Sequence, residues 1–413
     1  MSTATQEVKP RRSRKKPAGE KSTLSAGTQE HRPGEFSVSV KPADLARALV
    51  AARASVDDKP AVPILSSVLL STDPGVLGSG SLRVSSTNLR LAYAGTCRAE
   101  SSGRGSVCLP AKRLLEVVRR LGGEDASIRV RPGDSGPHVE VVCGRARFDL
   151  SGLGGDDFPT FPTLPREFTS LPSSVVVDLL ERSGQAMSDD VTRPHLHGAL
   201  LERSGKLLRL VATNGHWLAL SERVVEGLGA GEDFSMLLPR DALDEVGSLV
   251  SGADSVAMGH TSSHVFFRRA DDEGTALLAA PMSSAAFPPY DQVIPKKPER
   301  SVTVPRQLLV DALRRLSVMT SAQSRGLKFA LDAGSVALCG EDPEFGQGTE
   351  VVDASYDGTR MSFGVSVEYM QQALACCRRD SVTLQLGGEL DPILVDEVRG
   401  SDRDLAVVMP MRV

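Results

Sequence analysis

From Phe36 onward the chain repeats one arrangement of apolar and polar positions. A short apolar strand runs into a Pro or Ser, an amphipathic helix follows, and then come strands whose apolar residues alternate with polar ones. The helix starts are Val40-Lys41-Pro42 before Leu45, Leu109-Pro110 before Leu114, Leu171-Pro172 before Val176, Leu238-Pro239 before Leu243, Val304-Pro305 before Leu308, and Val365-Ser366 before Tyr369. Proline suits the first helical turn, where its missing N–H would have no partner in any case. Successive starts lie about 60 to 70 residues apart, a spacing that marks an internal repeat.

Between the helices, Leu82 and Val84, or Leu207, Leu208, Leu210 and Ala212, follow a strand period, bounded by turn residues such as Gly122-Gly123, Gly205 and Gly334. Pro-rich stretches at Phe158–Pro165 and Phe287–Pro298 read as connections after the second and fourth units. The prediction is an α+β chain of three similar domains, 36–165, 166–297 and 298–413. Each holds two strand-helix-strands units, with antiparallel sheets carrying helices on one face.

Residues 1–35 contain almost no large apolar side chains and carry a basic block, Lys9, Arg11, Arg12, Arg14, Lys15 and Lys16. So little apolar surface cannot offset ordering entropy, which predicts a disordered tail able to touch phosphates without reading sequence. The chain as a whole, at 40% hydrophobic residues, has enough to bury several cores. No apolar run approaches the roughly 18 to 20 residues of a membrane helix, and no signal-peptide core opens the chain. The expectation is a soluble, cytoplasmic protein with no membrane contact. Cys97, Cys108, Cys143, Cys339, Cys376 and Cys377 form no C-x-x-C pair and read as reduced thiols. A net charge of −4 means that nucleic-acid binding would depend on local basic patches.

Two segments stand out: Ala212-Thr-Asn-Gly-His-Trp-Leu-Ala-Leu220 and the C-terminal Ala406-Val-Val-Met-Pro-Met-Arg-Val413. Together they resemble the bacterial sliding clamp, the β subunit of DNA polymerase III. That family shows A-T-D-G-H-R-L-A in its second domain and ends in V-M-P-M-R plus an aliphatic residue. Lys59-Pro-Ala-Val-Pro-Ile-Leu65, Leu109-Pro-Ala-Lys112, Phe158-Pro159, Phe287-Pro-x-Tyr290 and Val293-Ile-Pro295 match in the family's order, from about residue 36 onward. The resemblance implies a head-to-tail homodimer closed into a ring, helices lining the hole and sheets outside. Double-stranded DNA would be held topologically and without sequence preference. The implied partners are the replicative polymerase, a clamp loader and repair proteins with clamp-binding peptides, and no cofactor is implied.

By the same resemblance, a peptide cleft between the second and third domains comprises Leu196, Thr213, Gly215, His216, Trp217, Leu218, Pro288, Gln292, Val293, Val407, Met409, Pro410, Met411 and Arg412. Trp217 and Gln292 stand where the family commonly has Arg, and Glu368 stands where it has a small polar residue, so the pocket's width and preferred peptide are expected to differ. Lys59 and Arg193 match basic DNA-contacting loop positions. On the helices, Lys112, Arg113, Arg119 and Arg120 face Glu116, while Lys41, Arg47 and Arg53 face Asp44. Arg306, Arg314 and Arg315 face Asp311. The fourth helix, with Asp241, Asp244 and Glu245 against Arg240, is acidic and departs from a basic lining.

Other chemistry has thin support. His195-x-His197, expected to share a strand face, and His260-x-x-x-His264 are the metal-like spacings, and neither has a third ligand at suitable spacing. His216 with Asp189 and Asp190 is the one imaginable hydrolytic set. No phosphate-binding loop, nucleophile elbow or dinucleotide fingerprint is present, so an enzyme is not expected and ring opening would draw on a separate loader. The competing readings are a specialised paralogous clamp with altered partner choice and a metal-dependent hydrolase.

Overall fold

The computed structural model describes residues 35–73, 81–133, 136–226, 228, 232–271, 274–296, 298–320, 325–344 and 346–412. The basic block in the first 34 residues lies outside the described residues. Six α-helices stand among those described: α1 (Pro42–Ala52), α2 (Ala111–Val118), α3 (Ser173–Ser183), α4 (Arg240–Val250), α5 (Arg306–Leu316) and α6 (Val367–Ala375). Each follows one strand and precedes a meander, as the repeat predicts.

The helix starts differ in one detail from expectation. Only Pro42 sits inside the first turn. Pro110, Pro172, Pro239 and Pro305 occupy the capping position itself and also end the preceding strand. Their fixed φ serves both elements, and a missing N–H there interrupts no helical bond. Ser366 caps α6 through its side chain, accepting from the Tyr369 N–H at 3.5 Å. In α2 the residues at i, i+3, i+4 and i+7, Ala111, Leu114, Leu115 and Val118, are buried, which leaves Lys112, Arg113, Arg119 and Arg120 in solvent.

The two units of each domain interlock. The strand before each helix pairs with the sister unit's meander. Phe36–Val40 lies against Ala126–Arg131 and Ser106–Pro110 against Ser67–Ser71. Thr169–Pro172 lies against Ser255–His260, and Phe234–Pro239 against Gly198–Ser204. Arg300–Pro305 and Met361–Ser366 cross to Ser381–Leu386 and Gly326–Asp332. Neither unit can bury its apolar face alone, which is why the repeat comes in pairs.

Sheets also continue between domains. Ala92 to Gly95 pair antiparallel with Ala279 to Ala276, joining the first two domains. Trp217 to Glu222 pair with Val408 to Arg403, joining the second and third. Four of the six units' last full strands are used in these joints. The other two, Ala146–Ser151 and Gly346–Asp353, each have one sheet neighbour among the described residues.

At the second joint, alternation splits the strand that starts at Trp217 between two cores. Trp217 and Ala219 belong to the large core under the helices of domains two and three. Leu218 and Leu220 belong to a smaller core on the opposite face, with Leu200, Val211, Leu405 and Val407. On the helix side, Asp404 is 1% exposed between two arginines. Arg182 Nη1 lies 2.8 Å from one carboxylate oxygen and Arg223 Nη2 2.9 Å from the other. Asp178 of α3 accepts from both, from Arg182 Nε at 3.0 Å and Arg223 Nε at 2.7 Å. All six cysteines are free, and burial pushes the Cys97 and Cys108 thiols up to about 12, consistent with inert core thiols.

Candidate functional site

A cavity of about 270 Å³ opens where the second joint meets the surface, lined by His195, Leu196, Thr213, Gly215, Trp217, Leu218, Pro288, Pro289, Tyr290, Val293, Val407 and Met409. Beside the turn that brings His195 and Leu196, three stretches of chain build it. The first is the turn Thr213–Trp217. Thr213 Oγ1 donates to the Trp217 carbonyl at 2.7 Å, Asn214 Oδ1 accepts from the His216 and Trp217 N–H groups, and Gly215 takes φ +91°. An Asn side chain that mimics a turn and a glycine free to go left-handed are the residue types this bend requires.

The second stretch is the C-terminal strand. Its edge continues past Val408 because the Met409 N–H donates to the His216 carbonyl at 2.9 Å, and the Met411 N–H donates to the Gly364 carbonyl at 2.9 Å. The third is Pro288–Val293, a proline pair followed by one turn of 3-10 helix. Tyr290 anchors it: its hydroxyl donates to Glu202 at 2.6 Å and accepts from Arg209 at 2.6 Å. Burial, together with the bond to Glu202, pushes that phenol above its ordinary range, so it stays protonated and keeps donating.

Nine of the expected residues therefore meet in one cavity: Leu196, Thr213, Gly215, Trp217, Leu218, Pro288, Val293, Val407 and Met409. Five do not line it. His216 turns its ring outward and stacks on Tyr369 of α6, centroids 5.7 Å apart and planes within 7°. Gln292, Pro410, Met411 and Arg412 lie outside the lining. Three lining residues were missed: His195, Pro289 and Tyr290. The last two stand inside the quoted Phe287-Pro-x-Tyr290 segment, and His195 adjoins Leu196, so nearness in sequence was the available signal.

Trp217 is 1% exposed within the helix-side core, because its strand position faces inward, and it borders the cavity. His195 and His197 are not on a strand. They fall in the Val191–His197 turn just before Gly198–Ser204 and point apart: His195 lines the cavity, while His197 Nδ1 sits 2.8 Å from the Ser188 carbonyl. Pro194 disfavours a strand there by denying it an N–H. Among the described residues no cluster of three His, Cys, Asp or Glu side chains is placed to hold a metal. The imagined hydrolytic set is dispersed as well: Asp189 pairs with Arg240, Asp190 accepts from Thr192, and His216 stacks on Tyr369. Glu368 is engaged with Arg325 at 3.2 Å.

The basic residues expected to face DNA are all exposed, on three separate elements. Lys59 sits in the loop before Pro63, its N–H donating to Asp57. Arg193 is on the Val191–His197 turn, 3.3 Å from Asp190. On α2, Lys112 and Arg119 are exposed, Arg113 lies 3.1 Å from Glu116, and Arg120 donates to the Glu116 carbonyl. None is desolvated, which is what transient phosphate contact needs.

A chain of three sheet-joined domains with a preformed apolar cleft at one joint is a binding scaffold by class. Comparison with known proteins makes the class particular. Residues 36–162, 170–280 and 291–412 match the N-terminal, central and C-terminal domains of the DNA polymerase III beta subunit. The beta sliding clamp of Pseudomonas putida is 30% identical over 362 residues, covering 86% of this chain and 94% of that protein. The Escherichia coli K12 beta sliding clamp is 27% identical over 362 residues, with 86% and 93% covered. Among solved structures, the Caulobacter crescentus beta sliding clamp superimposes with a TM-score of 0.83 at 28% identity, and a Pseudomonas aeruginosa sliding clamp bound to griselimycin with 0.82 at 27%. Each alignment covers 92% of this chain and 100% of the other. The chain belongs to the DNA polymerase III beta subunit family: it is a DNA sliding clamp, a processivity factor rather than a catalyst. No helix among the described residues is long and apolar enough to cross a membrane.

Proposed function

We propose that two copies of this chain close head to tail into a ring around duplex DNA, and that the cleft at the second joint holds short peptides of the replicative polymerase, the clamp loader and repair proteins. The observation that carries the ring is the pairing pattern of the units' last strands. Units one and four join through theirs, as do units three and six; units two and five are left with the free edges Ala146–Ser151 and Gly346–Asp353. A strand edge with unmet N–H and C=O groups is a template for pairing. Joining edge two of one copy to edge five of another repeats the existing joints and closes after two copies. Val351, 62% exposed on the second edge, supplies apolar surface, while the opposite charges Arg147 and Glu350 on the two edges are each paired within the chain, with Glu140 and Arg315.

Such a ring puts three domains per copy, divided near 165 and 297, around a hole lined by helices. Lys59, Arg193, Lys112, Arg113, Arg119 and Arg120 serve as weak phosphate contacts, and affinity comes from encirclement. Partners take the cleft residues with Val293, Val407 and Met409 as apolar walls, and His216, Gln292, Pro410, Met411 and Arg412 as its rim. Two or three buried anchors at roughly 1.5–3 kcal/mol each are enough for micromolar peptide binding. The place of action is the nucleoid in the cytoplasm. Sedimentation tests the ring: the native chain runs at twice the chain mass, and Val351→Lys on the free edge runs as a folded monomer. A native monomer, or a Val351→Lys dimer of unchanged stability, would overturn the edge assignment.

A further inference from the structure

The turn that opens the cleft has a twin at the other joint. Thr87-Asn88-Leu89-Arg90-Leu91 repeats Thr213-Asn214-Gly215-His216-Trp217 bond for bond. Thr87 Oγ1 donates to the Leu91 carbonyl at 2.8 Å, as Thr213 does to Trp217 at 2.7 Å. Asn88 Oδ1 accepts from the Arg90 N–H at 2.9 Å, as Asn214 does from His216 at 2.9 Å. The third residue of each is left-handed, Leu89 at φ +67° and Gly215 at φ +91°. Each turn leads into the strand that crosses to the next domain.

The first joint also has a cavity beside its turn. Its volume is about 270 Å³, equal to the cleft's, and Arg90, Val191, Pro194, His197, Asp241 and Met282 are among its walls. The two cavities share one partition, the turn before Gly198: His195 and Leu196 face the cleft, while Val191, Pro194 and His197 face the second cavity. At the second cavity, Val191 is 72% exposed, and Leu89 next to Arg90 is 67% exposed. Leucine is a costly choice for a left-handed position that glycine fills in the twin, and two-thirds of it is exposed there. Charge adds a preference. Asp241, in the first turn of α4, is the carboxylate that lines this cavity, where Arg90 is held 2.9 Å from it.

We propose that the second cavity takes the flank of the same extended peptide that fills the cleft, packing one aliphatic side chain on Leu89 and Val191 and setting a basic residue beside Asp241. The proposal rests on the cleft reading above.

The test uses the full chain and a hexapeptide selected from a random library for binding that Met409→Glu abolishes. Two longer versions carry a four-residue extension containing Leu and Lys, one at each end. One of them binds roughly five- to tenfold tighter than the hexapeptide, the effect of partly burying one leucine. Leu89→Gly with Val191→Ser removes that gain and leaves the hexapeptide affinity unchanged, as does Lys→Glu within the extension. A hexapeptide that binds while neither extension adds affinity, or a gain that survives the double substitution, overturns the second cavity alone. If no hexapeptide sensitive to Met409→Glu is found, the cleft reading falls and this proposal with it.

Discussion

Leu89 and Asp404 carry opposite energetic signs. A leucine at φ +67° stores about 1–3 kcal/mol of backbone strain, against the roughly 0.5–1 kcal/mol of unfolded-state entropy that a glycine would add. Leu89→Gly is therefore expected to stabilise the first domain, by about 1 kcal/mol, read as a higher melting temperature. Asp404 is the reverse case, a fully buried carboxylate shared by Arg182 and Arg223. Asp404→Asn leaves two buried guanidinium groups undercompensated and is expected to cost about 3–5 kcal/mol in denaturant unfolding. Acid acts on the same cluster. Burial pushes Asp178 up, but the hydrogen bonds and charges of Arg182 and Arg223 outweigh it and hold the carboxyl below its ordinary range. A group depressed in the folded state contributes fully above its unfolded value of about 4 and loses that contribution as pH falls through the folded value. Unfolding monitored below about pH 4 should show this loss, and Asp178→Asn should flatten it.

At the scale of elements, the two joints are built to different strengths. The second has six strand pairs, Trp217 to Glu222 against Val408 to Arg403, backed by the Asp178–Asp404 ion cluster. The first has four pairs, Ala92 to Gly95 against Ala279 to Ala276, and a cavity of about 130 Å³ under it between α1 and α4. Hydrogen exchange should release the Ala92–Gly95 and Ala276–Ala279 amides before those of Trp217–Glu222 and Arg403–Val408; the reverse order would contradict this ranking. The elements themselves were legible in the sequence, because proline or serine before an amphipathic run marks each helix start locally. Strand exchange between sister units was not legible, since period-two alternation says which face is buried but names no partner. Pro194 was a visible objection to a strand at His195–His197. The inward turn of Trp217 needed the strand register, which only the pairing with Val408 defines. The twin turns were visible as Thr87-Asn88 and Thr213-Asn214, yet two residues are too short a repeat to carry weight without their hydrogen bonds.

For the whole molecule, net charge of −4 and exposed basic residues paired or spread over several elements argue against tight direct binding to DNA. A sliding clamp needs none, because a closed ring holds by topology. That is the central claim, and retention on a nicked circular duplex tests it most directly. The chain is loaded with a cognate loader and ATP, washed at a salt concentration that removes free phosphate binders, and followed before and after the circle is cut. The account predicts stable retention on the circle and rapid release once the DNA has ends. Equal retention on cut and uncut DNA, or no loading by a loader shown to be active on another clamp, would contradict it.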